Sequence, residues 1–204
     1  MLNLSKILVK TFLPYPNAVQ KIFKFWLKWS NFYQWFERKF LKTDKSLLKQ
    51  YAGLDSPFNE WKRFLQKVDV RYGTDKWYMG FDVVNAPERV MVTKYGDCDC
   101  LALLGFTFFG NTITYNGESF LFKEFNSLLF ESGDGHAIGI WENVNKNQWL
   151  VVTNNEVMIT GCVYQDWEKI MESELKYIGA YKVDINQKLV FNKFSTYSNN
   201  IFYK

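Results

Sequence analysis

The chain has 204 residues, enough for one domain with a substantial core and too few for two full-sized ones. With 48% apolar and 23% charged residues it is neither a disordered nor a collagen-like polymer, and 19% aromatic residues imply a dense core with an adhesive outer surface. No charge-free run reaches the length of a bilayer-spanning helix. Met1 to Val9 is too short an apolar run for a signal peptide, and three cysteines suit a reducing compartment better than a disulfide framework. The expected location is cytoplasmic or virion-associated.

The net charge of +4 is split, with +8 over residues 1–50 and therefore −4 over the remainder. Residues 1–52 read as a basic, aromatic, amphipathic helical segment, interrupted at Pro14 and Pro16. On a helical wheel from Asn17 to Lys42, Lys21, Lys24, Lys28, Asn31, Arg38, Lys39 and Lys42 gather within about a third of the circle. Val19, Ile22, Phe23, Phe25, Trp26, Trp29, Phe32, Tyr33, Phe36 and Phe40 fill most of the rest. Such a helix has three uses: packing on its own domain, docking on a protein partner, or lying on an anionic membrane surface. Nucleic acid is not an expected partner, because the rings form a continuous apolar face.

A turn at Gly53–Pro57 opens the body, residues 53–190, and 191–204 read as a loosely held tail. A helix is expected from about Pro57 to Val70, then a loop with Gly73 and Gly80, then a short helix opening at Pro87. In "YGDCDCLALLGFTFFG", Asp97 is the N-cap of a further helix and Gly110 its C-cap. "GHAIGIW" (135–141) and "QWLVVTN" (148–154) read as strands of a hairpin. "VMITGCVY" is a third strand, "QDWEKIMESELKY" a helix and "IGAYKVDI" a last strand. Helices first and strands afterwards give an α+β fold.

Cys98 falls in the first turn of the expected helix, where unpaired backbone N–H groups and the helix dipole favour thiolate. The flanking Asp97 and Asp99 oppose it, so a reactive thiolate needs a cationic partner. The chain has one histidine, His136, and Asn154 follows it on the next strand. A neutral amide there can orient an imidazole and fix its tautomer, so the order Cys98, His136, Asn154 suits nucleophilic catalysis. The plain alternatives are a buried cysteine, a core histidine and a strand-ending turn.

"YGDCDCLALL", "GHAIGIW" and "QWLVVTNNE" together resemble the transglutaminase-like branch of the papain-like cysteine-enzyme superfamily, over about Val70 to Glu156. The resemblance implies a papain-like fold in which the cysteine helix packs on an antiparallel sheet. It makes Cys98 the nucleophile, His136 the base and acid, and Asn154 the orienting residue. The sequence departs from the pattern twice: Cys100 stands where an acid is usual, and the third member usually lies four places after the aromatic residue. Counting from Trp149, that place is Thr153, with Asn154 and Asn155 just beyond. Trp77 is a conceivable second oxyanion donor through its indole N–H.

The expected function is a thiol-dependent hydrolase of amide or peptide bonds, acting on a protein or peptide substrate without a cofactor. A cross-linking acyltransferase differs only in the acceptor, and the lack of a calcium-loop signature favours water. A Cys₃His zinc site from Cys98, Cys100, Cys162 and His136 is the competing chemistry, weakened by its Cys-x-Cys spacing. A catalytically silent docking protein on the same fold is the other alternative. The Asn, Lys and Phe content suits an AT-rich genome, and with it an accessory protein of a bacteriophage particle.

Overall fold

The structure, a computed structural model, describes residues 11–41, 56–73 and 83–197. The expected segment boundary at residues 52–53, the loop glycine Gly80 and the candidate donor Trp77 lie outside these residues. Within them the fold is α+β. In chain order the elements are α1 (Pro16–Phe40), α2 (Pro57–Val68), β1 (Arg71–Tyr72), α3 (Pro87–Thr93), β2 (Tyr95–Gly96) and α4 (Cys98–Phe109). The strands β3 (Thr112–Tyr115), β4 (Glu118–Phe130), β5 (Gly135–Asn143), β6 (Gln148–Thr153) and β7 (Glu156–Thr160) come next. Helix α5 (Val163–Met171), β8 (Leu175–Val183) and β9 (Leu189–Thr196) complete the described chain.

One antiparallel sheet organises the rest, with strand order β7-β6-β5-β4-β8-β9 and β3 paired to β4. β1 and β2 form a separate parallel pair. Three differences from the sequence reading concern strands. β3 and β4 occupy residues read as no element, β9 takes up the first part of the expected tail, and β7 stops at Thr160 rather than running to Tyr164.

Helices α1 and α4 cover one face of the sheet. Asp97 caps α4 by accepting from the Cys100 amide at 3.3 Å, and Gly110 closes it at φ 71°. The helix is buried nearly all round, as its continuous Leu101–Leu104 run requires. Gly105 permits close seating, since a Cβ there would stand 2.6 Å from Val152 Cγ1. Beside α4, α2 presents Trp61, Phe64, Leu65 and Val68 at helical spacing to the shared core with Phe108, Trp141 and Leu150. Full burial of Trp61 and Phe64 contributes on the order of 2–3 kcal/mol each.

Helix α1 lies on the same face, over β8 and β9, with Phe23 against the surface of Gly179. Its inward stripe is apolar at Val19, Phe23 and Leu27 and becomes polar at Ser30, Gln34 and Glu37. Ser30 Oγ accepts from the Val84 amide, Gln34 Nε2 donates to the Val84 carbonyl, and Glu37 Oε2 accepts from the Ala86 amide. The basic N-terminal helix is therefore part of the body, held by hydrogen bonds that leave little freedom in its register. The opposite face of the sheet carries α5, whose Trp167 and Val163 pack with Leu128, Ile138, Val151 and Ile178.

Candidate functional site

Strand alternation decides which side chains can meet. In β5, Trp141 turns toward α4, and its indole N–H donates to the Gly110 carbonyl at 3.0 Å. His136 and Ile138 turn the other way: Ile138 belongs to the core beneath α5, and the His136 ring lies 4.2 Å from that of Trp167. In β6, Val152 faces α4 while Val151 and Thr153 share the His136 face. The result is a 2.7 Å hydrogen bond between His136 Nε2 and Thr153 Oγ1.

Asn154 does not occupy that position. It is the first residue of the two-residue turn joining β6 to β7, at φ 37°, where asparagine tolerates a left-handed backbone. Its carbonyl accepts from Trp61 Nε1 at 3.2 Å, and its side-chain Oδ1 is buried without a partner among the described residues. Being one residue past Thr153, it belongs by alternation to the other face. The count of four places from Trp149 ends on Thr153, the residue that bonds the imidazole. Trp167, lying against the imidazole, was not anticipated; its place follows from the Val163/Trp167 i, i+4 spacing of α5.

Cys98 is half-buried at the first position of α4, as its Asp97 cap dictates. Helix α4 and strand β5 run alongside each other in the same direction, since Gly110 meets Trp141 while Gly105 meets Val152, the partner of Gly139. Seven helical residues from Gly105 back to Cys98 and three strand residues from Gly139 back to His136 each span about 10 Å. Cys98 and His136 therefore arrive at the same end of the sheet. They reach it from opposite faces, so any approach between them passes round the sheet end.

Burial lowers the His136 pKa to about 4, and the Asp97 carboxylate acts against that shift. The imidazole is thus neutral at neutral pH. On the α4 face, burial pushes the Tyr181 phenol well up, with Asp99, Cys98, Cys100 and Asp97 adding to it. Its hydroxyl is buried without a hydrogen-bond partner among the described residues.

The proposed zinc ligands are not gathered. Cys100 is fully buried within α4, with the Asn85 amide donating to its sulfur at 3.2 Å, while Cys162 is exposed at the start of α5 across the sheet. Asp97, Asp99 and Cys100 do bring one ligand atom each within 4.8 Å of one another, and these are the residues that could hold a cation. Far from Cys98, a cavity of about 110 Å³ opens on the α5 face between Trp149, Tyr164 and Tyr197. Its floor is Glu124, held by Lys193 at 3.1 Å and Asn192 at 2.6 Å.

Searches of family models, of curated proteins and of solved structures each find nothing that matches this chain. No described helix is long and apolar enough to cross a membrane.

Proposed function

We propose that the chain is a thiol-dependent hydrolase of amide bonds, with a papain-like arrangement of its catalytic groups. In this reading Cys98 is the nucleophile, His136 the proton carrier and Thr153, in place of Asn154, the orienting residue. The observation that carries it is the 2.7 Å bond from His136 Nε2 to Thr153, on the strand next to His136 and four places after Trp149. With Nε2 donating to the hydroxyl, Nδ1 keeps its lone pair, as a base requires. Trp167 against the ring limits water at that bond, and the helix start supplies N–H groups for an oxyanion.

The chemistry then runs in two steps. Nδ1 takes the Cys98 proton as sulfur bonds to the carbonyl carbon, and the imidazolium returns that proton to the departing amine. Water, deprotonated by the imidazole, attacks the thioester and releases the carboxylic acid, and the thiol recovers its proton. A lysine amine in place of water gives the cross-linking version.

A second reading has a specific observation behind it: the His136 ring is buried on the face opposite α4, against Trp167. A core histidine satisfied by Thr153 in a catalytically silent protein fits that as well. Iodoacetamide alkylation between acid and mildly alkaline pH separates the two. The experiment is done in a Cys162→Ser background, because Cys162 is exposed while Cys100 is buried. An alkylation midpoint below about pH 7 that moves up in His136→Ala supports the enzyme. A midpoint near the ordinary thiol value of about 8.5 in both proteins contradicts it.

A further inference from the structure

Helix α1 has an outward arc that the chemistry at Cys98 does not use. Phe32, Trp35, Phe36 and Phe40 are each more than half exposed there, together with Lys21, Lys28 and Lys39. The basic face expected from the helical wheel borders the rings on this arc: Lys39 Nζ lies 5.3 Å from the Trp35 ring centre and 5.9 Å from that of Phe40. Glu37, the one acid of the helix, points inward and accepts from the Ala86 amide. The outward charge is therefore all positive. Asn31 adds to the inward anchoring, pairing with both the carbonyl and the amide of Leu189, so the arc is held in one orientation.

We propose that this arc binds an anionic lipid surface, with α1 lying in the plane of the membrane. The charge calls for an anionic counterpart, and the row of rings calls for an apolar layer beneath it. Lipid meets both needs at one depth, with the rings below the headgroups and the lysine stems reaching back to them. The rings stand on a convex helix. A fluid headgroup layer conforms to such a row, whereas a protein partner would have to supply a matching groove. The helix is about 37 Å long, so several lipids can be engaged at once.

The test uses the full chain and its co-sedimentation with vesicles of phosphatidylcholine alone or with added phosphatidylserine. Binding is expected on the phosphatidylserine vesicles only, weakening with salt and falling about fivefold per lysine in Lys21→Gln/Lys28→Gln/Lys39→Gln. Trp35→Ser/Phe36→Ser, at exposed positions that leave the core intact, is expected to lower binding about tenfold or more. Equal binding to both vesicles, binding to neither, or unchanged affinity in both variants overturns the proposal. Capture by soluble polyglutamate without capture by phosphatidylserine vesicles also overturns it and assigns the arc to an acidic protein.

Discussion

The two faces of the sheet are built differently. The face under α1 and α4 holds the largest fully buried side chains, among them Trp61, Trp141, Tyr181 and Phe64. The face under α5 has a smaller apolar core, and next to it a polar system of Glu124, Asn126, Asn192, Lys193 and Tyr164. Stability is concentrated on the first face. The second places buried polar and charged groups beside a single short helix. Cys98 belongs to the first face and His136 to the second, so the proposed pair depends on the sheet end and not on either core.

The largest expected effect tests the first face. Trp61→Ala removes an indole from the α2–α4 core and its hydrogen bond to Asn154, and is expected to cost about 3–5 kcal/mol in urea denaturation. A loss below about 1 kcal/mol would mean that this face is not the main store of stability.

Next comes His136. Its folded pKa of about 4 lies below the ordinary value of 6.5, so between these values the unfolded chain binds the extra proton. Stability is expected to fall as pH drops through that window, by up to about 3 kcal/mol, and His136→Gln should flatten this part of the curve. Chemical denaturation at a series of pH values reads both.

Glu37 on α1 has the opposite sign. Burial raises its pKa to about 7, against the lowering influence of the Ala86 amide, Arg89 and Arg38, while Glu88 adds to the rise. The folded state then holds a proton that the unfolded state has lost, so stability falls as pH rises from about 4.5 to 7. Glu37→Gln is expected to remove this dependence while leaving the His136 window in place.

Gly105→Ala should give a comparable or smaller loss, about 1–3 kcal/mol, because its methyl group would meet Val152 at 2.6 Å. Thermal unfolding of that variant checks how tightly α4 sits on β6.

Much of the helical face was legible in the sequence. Pro57 with Trp61, Phe64, Leu65 and Val68 defined α2, and Asp97 with Gly110 bracketed α4, because caps and 3.6-residue spacing are local signals. The central strand β4 was not legible. "ESFLFKEFNSLLF" carries apolar residues on both sides of a sheet covered on both faces, so no clean alternation marks it. β9 escaped for the opposite reason, since it is an edge strand with mostly exposed or half-buried residues. The inward stripe of α1 was hidden because Ser30, Gln34 and Glu37 are polar, and only their partners at Val84 and Ala86 explain their burial. At the candidate site, Cys98 and His136 stood out by residue type and position. Which residue stands beside the imidazole turned on a single-residue register: Thr153 bonds His136, while Asn154 lies in the turn after it.

The central claim is that Cys98 and His136 act as one titrating pair across the end of the sheet. The most direct measurement is the imidazole titration by ¹⁵N NMR, in the unsubstituted chain and in Cys98→Ser. A coupled pair predicts that His136, at about 4 in the unsubstituted chain, titrates still lower in Cys98→Ser, since thiolate favours imidazolium. The same titration in both proteins would contradict the pair and leave His136 as a core residue held by Thr153 and Trp167.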